Sequence, residues 1–291
     1  MSNPLLNERY FEGGGGTAVV DRPAPAPRAQ DTSWIGMPPP PGAFSPDREV
    51  APLAPAATMT MGGVASAAGV MLLFIVAGGW YGWGKVVATS TVDAAGRTVD
   101  TTQFPLGWMF GSMIVGFVLA IVCTFKPPLA RFLGVPYAIA EGVFLGVISH
   151  AYDITTKGVA LQAVLATGAV FLVMLALYGF RILRVTPRMT KAIIAATLGV
   201  AAVYLVGWIV SMFSDTGLSF MNSTSALSIG ISVLVVGIAA FNLLLDFDFI
   251  ERGVRDGYPK DMEWFGALGL VITLVWLYLE LLRLLSKLQR R

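Results

Sequence analysis

Five acidic residues interrupt or border long apolar runs. They are Asp246 and Asp248 in FNLLLDFDFI, Glu263 and Glu280 in the segment that follows, and Glu141 in AIAEGVFLG. A carboxylate at membrane depth is costly and is kept where it pairs, takes up a proton or faces water, so each is a candidate for function. An acid pair in a partly dry hollow would exchange protons readily and attract a cation, and so could work as a gate. Asp246 and Asp248 stand two apart. Helix residues at that spacing point in different directions, so at most one of them faces a given cavity. The alternative is that both solvate the membrane boundary beside Arg252 and Arg255. Glu141 lies most securely within an apolar stretch, from Tyr137 to Ile148. Glu280 precedes Arg283 by three residues and can pair with it on one helix face. His150 and Asp153 close a further apolar run, but nothing else there supplies metal-ligand spacing. Asn222 and Asn242 read as interhelical hydrogen-bond groups.

The elements that must position these groups follow from composition. The chain has 291 residues, of which 13% are charged. Soluble domains carry about 25%, so the deficit, with a mean hydropathy of +0.70, indicates a polytopic membrane protein. Spanning helices need about 20 mostly apolar residues. Seven segments qualify, at roughly 60–84, 107–125, 132–152, 160–180, 191–213, 225–248 and 263–285. The expected fold is all-α: a seven-helix transmembrane bundle over 58–291, preceded by a separate tail over 1–57. That tail holds GGGG at 13–16, PPPP at 38–41 and eleven of the 17 prolines. It has too little apolar surface to offset its ordering entropy, so it is expected to be disordered. It lacks the pattern of a secretory signal. It could also bind an SH3-like protein partner.

Small residues at Gly62, Gly63, Ser66, Gly69, Gly111, Gly116, Gly142 and Gly146 allow close helix approach. Trp80, Trp83, Trp108, Trp208 and Trp264 near segment ends suit an interfacial belt. The loops after segments two, four and six carry nine basic residues: Lys126, Arg131, Arg181, Arg184, Arg188, Lys191, Arg252, Arg255 and Lys260. The other loops carry three, Lys85, Arg97 and Lys157. This bias places the amino terminus and the first set in the cytoplasm. Arg283, Lys287, Arg290 and Arg291 oppose an external carboxyl end and suggest a last segment that does not cross fully.

Enzyme classes drop out for want of motifs. There is no P-loop, no HExxH and no GxSxG. The last span offers no lysine before Lys287 for a retinal linkage, and the GxGD of aspartyl intramembrane proteases is missing. A net charge of +2 without a basic stripe excludes nucleic acid as a partner. Cys123 is the single cysteine, so no internal disulfide forms. No cofactor or resident metal is expected.

The run LDFDFIERGV, the loop YPKDMEW and the segment ALGLVITLVWLYLELLRLL closely resemble the Bax inhibitor-1 family, also called the transmembrane Bax inhibitor motif family, in its bacterial branch. AIAEGVFLG resembles it as well, and the likeness extends over about 60–288. The resemblance implies seven helices with the last one central, in a bacterial cell membrane, and a pH-sensitive calcium leak through the bilayer. In such members an aspartate near the end of span six pairs with one in span seven, and protonation biases the gate. Asp248 matches the first position. Laying ALGLVITL over the family's ALxLYLD pattern puts Thr273 at the second. Threonine does not titrate, so Glu141 or Asp246 becomes the expected partner of Asp248, with Arg252 or Arg255 as gating partners. Glu280 lies roughly 20 Å deeper than Asp248 at 1.5 Å per residue and belongs to another level of the pathway. The alternative function is a regulatory or interaction protein of the membrane, modulating a protease or a stress response without transport.

Overall fold

A computed structural model describes residues 57–92, 98–103, 105–213 and 224–290, with backbone alone for 88–92 and 98–103. Residues 1–56 of the expected tail, Asn222, Arg97 and Arg291 fall outside the described residues. Seven helices are long and apolar enough to cross a membrane: α1 (Met61–Trp83), α2 (Leu106–Phe125), α3 (Ala130–Thr155), α4 (Val159–Gly179), α5 (Pro187–Phe213), α6 (Ala226–Arg255) and α7 (Met262–Gln289). The seven expected segments are all present. A two-stranded antiparallel hairpin, β1 (Val87–Val92) and β2 (Thr98–Gln103), fills the α1–α2 connection, with Val87 opposite Gln103 and Val92 opposite Thr98. The β-branched Val and Thr frequent in both strands favour such pairing.

α7 is the most enclosed helix, packed by α6, α4, α1 and α3. Leu268, Val271, Leu277 and Leu282 are at most 2% exposed. At 28 residues it is about 42 Å long, which is long and apolar enough to cross a membrane, although its basic end suggests an incomplete crossing. Those charges are not loop charges: Arg283 and Lys287 are bonded inside the bundle, and Arg290 donates to Thr155 Oγ1 at 2.7 Å.

α1 and α3 meet almost backbone to backbone. A Cβ on Gly78 would lie 2.7 Å from the Ile139 carbonyl, and one on Gly146 would lie 2.8 Å from the Trp83 nitrogen. Only glycine permits this approach, and in lipid close packing substitutes for the hydrophobic effect.

Residues 57–60 form a strap across the α6–α7 turn. The Met59 amide donates to the Tyr258 carbonyl at 2.7 Å, the Lys260 amide donates to Ala57, and Thr58 bridges Pro259. Met59 is 1% exposed and sits against Gly253 and Gly266. Thr60 caps α1 by accepting from the Gly63 amide at 3.0 Å. Its own amide and hydroxyl donate to Glu263 Oε1 at 3.0 and 2.8 Å. The turn itself uses Gly257 at φ 68°, a conformation that side chains rarely tolerate.

Candidate functional site

α6 meets α7 along a stripe of one face: Ser228, Ser232, Val235, Ala239, Leu243, Asp246, Ile250 and Gly253, spaced by threes and fours and mostly buried. Asp246 falls on this stripe. Asp248, turned about 200° from it at 100° per residue, does not. Asp246 Oδ1 lies against Gly269 of α7, and the Thr273 hydroxyl is within hydrogen-bonding reach of the carboxyl. Asp246 Oδ2 is shielded from solvent and has no hydrogen-bond partner. Both residues sit about 14–16 Å along their helices from the connecting turn, so they share one depth.

The acid facing position 273 is therefore Asp246, not Asp248 as motif alignment suggests. Asp248 forms an ion pair with Arg252 one turn on, and the Arg252 side chain is 52% exposed. Arg255 pairs with its neighbour Asp256 at 3.2 Å and takes no part in the seam. Glu251, on a third face, accepts from Tyr178 of α4.

Glu141 is not a partner of either aspartate. α3 runs parallel to α7, with Gly134 beside Trp264 and Ser149 bonded to Tyr278 at 2.6 Å. That register sets Glu141 level with Val271, close to the depth of Thr273. Trp264 and Tyr278 lie on the α7 face opposite Gly269 and Thr273, so α7 itself separates Glu141 from Asp246. Glu141 instead presses on Gly116 of α2, where a Cβ would come within 2.7 Å of its Oε2.

Glu280 is 2% exposed and fully engaged. It accepts from Tyr204 at 2.8 Å, from Trp276 Nε1 at 3.3 Å and from Arg283 at 3.1 Å. The Arg283 guanidinium also lies over the Tyr204 ring, 5.1 Å from its centroid, and donates to its hydroxyl. This cluster ties α5 to α7 and leaves no free acid at that level. His150 stacks on Trp83 with 4.4 Å between centroids and bonds its carbonyl, while Asp153 accepts from the Gly158 amide. No group of three potential metal ligands occurs among the described residues. Asn242 donates to Thr197 of α5 at 2.8 Å, as an interhelical group should.

Thr273, Trp276, Glu280, Arg283 and Lys287 follow one another by threes and fours. They form a polar stripe along α7 that begins at Asp246 and ends at the carboxyl end of the bundle. The spacing was available in the sequence. It is obscured because the tryptophan scores as apolar and each acid or base looks like a local feature. Glu263 also matters as the anchor of the strap, and nothing in its neighbourhood of the sequence points to Thr60.

The molecule is thus a polytopic membrane protein of seven helices, built around an enclosed last helix with one unsatisfied acid in its longest seam. The chain belongs to the Bax inhibitor 1 like family, whose model matches residues 4–290. That match begins well before residue 60, so the family likeness reaches into the Pro- and Gly-rich region. No curated protein gives a significant match.

Proposed function

We propose that this protein is a channel, not an enzyme, and passes calcium ions down their gradient along the α6–α7 seam, with Asp246 as the ion-attracting and proton-sensing group. The observation that carries the reading is the buried Asp246 Oδ2 without a partner, beside the Thr273 hydroxyl. Oxygen donors of this kind suit a hard divalent cation, and an unpaired intramembrane acid marks an ion or proton path. A single acid replaces the expected pair, so proton binding at one carboxyl sets the gate. The setting is a bacterial cell membrane with the amino terminus cytoplasmic. The basic-residue bias supports this orientation, and the strap keeps residues 57–60 on the same face as Arg252, Arg255 and Lys260.

The test is calcium entry into liposomes that hold the purified protein and an internal calcium dye. Flux above that of empty liposomes supports the reading, and equality with empty liposomes at both acid and neutral pH sinks it. The second reading, a regulatory protein without transport, draws on the neutralisation of Asp248 by Arg252 and of Glu280 by Arg283. It requires that deletion of residues 1–57 abolish the cellular phenotype while Asp246→Asn leaves it intact.

A further inference from the structure

The end of the seam farthest from the α6–α7 turn holds a charge with no use in the reading above. Lys287 of α7 is 5% exposed. Its Nζ donates to Ser228 Oγ at 2.9 Å, to Ser232 Oγ at 2.8 Å and to the Ser228 carbonyl at 3.5 Å. Three oxygens match the three N–H groups of an ammonium, and the carbonyl can only accept. None of these partners is a carboxylate. Glu280, two turns back along α7, is committed to Arg283, and Asp153 caps the turn at Gly158. Ser228 is in the first turn of α6, where the helix dipole is positive and a cation is disfavoured. A buried charge without a counter-ion costs stability, and an apolar residue would fill the same space.

We propose that Lys287 is a specificity-determining barrier: a fixed positive charge at this mouth of the seam that holds down the passage of divalent cations at rest. The inference rests on the reading of the α6–α7 seam as the cation path. Among the described residues, Arg283 is neutralised by Glu280 and Arg290 is exposed, so the buried charge at this level without a paired carboxylate is the Lys287 ammonium. An ion travelling along the polar stripe from Asp246 must pass it. Because the repulsion scales with the charge on the ion, calcium is held back more strongly than potassium.

The experiment compares calcium and potassium flux in liposomes carrying the wild type, Lys287→Gln, Lys287→Arg and Ser232→Asp. Lys287→Gln keeps hydrogen-bond donors without the charge. Ser232→Asp leaves the lysine in place and neutralises it, so it serves should the first variant fold poorly. Both should raise calcium flux by about tenfold, with potassium rising by only about the square root of that factor, as a charge barrier demands. Lys287→Arg should stay near the wild type. Equal rises for the two ions would show a merely loosened seam and overturn the barrier. So would unchanged flux in both neutralising variants while Asp246→Asn still lowers wild-type flux; that result leaves the channel reading standing. Flux at the empty-liposome level in every protein overturns the channel reading and the barrier with it.

Discussion

Asp246→Asn changes one buried oxygen to nitrogen and removes the charge that faces Gly269 and Thr273. A unit charge and a divalent ion ~4 Å apart attract by about 8 kcal/mol at an effective dielectric of ~20. Dehydration of the ion and the carboxylate cancels most of this. A surviving fifth, about 1.6 kcal/mol, still corresponds to more than a tenfold change in occupancy. Calcium flux into dye-loaded liposomes should therefore fall at least about tenfold, and the flux at acid and at neutral pH should coincide. Asp248→Asn is the paired control. It breaks an ion pair whose arginine is half exposed, an interaction of about 0–1 kcal/mol, and should leave flux within about twofold. If Asp248→Asn loses as much flux as Asp246→Asn, the assignment of the seam acid is wrong. If Asp246→Asn conducts like the wild type, the site is not on the path.

Three further outcomes test the packing. Glu280→Gln leaves Arg283 without its anion and should cost about 3 kcal/mol, visible as a lower thermal midpoint in detergent, whereas Tyr204→Phe should cost about 1 kcal/mol. Gly146→Leu forces a side chain into the α1 backbone and should destabilise by about 3 kcal/mol or more, while Gly168→Ala, which meets nothing within 4 Å, should be neutral by the same measurement. Thr60→Val removes the α1 cap and the hydroxyl donor to Glu263, leaving the amide donor in place. It should cost about 1 kcal/mol and speed limited proteolysis near residues 57–60.

Hydropathy and spacing suffice to place the helices here, because each span must satisfy its own backbone in lipid and so declares itself as one long apolar run. They do not decide which face of a helix meets which neighbour. Motif alignment selects Asp248, yet the stripe that includes Ala239, Leu243, Ile250 and Gly253 carries Asp246 into the seam and turns Asp248 toward Arg252. The small-residue content of that stripe is a signal in the sequence that favours Asp246. Glu141 looks close to the other acids by depth and is separated from them by the width of α7, a distance that no linear pattern encodes. The basic end of α7 is hard to read for a related reason. Counting charges assumes that they face a loop, whereas Arg283 pairs with Glu280 and Lys287 is held inside the bundle by Ser228 and Ser232. The β1–β2 hairpin is rich in Val and Thr but is short beside the helices that flank it, so hydropathy does not single it out.

The lashing of residues 57–60 to Tyr258, Lys260 and Glu263 has a mechanical corollary. Any tension applied upstream of Ala57 is delivered first to the hairpin that joins α6 to α7, not to the base of α1. A molecule that grips the amino-terminal region would hold a lever on the two helices that carry Asp246 and Thr273. A tag spliced in at Met61, discarding Met59 and Thr60, would sever that lever and unseat the packing over Gly253 and Gly266 in one stroke.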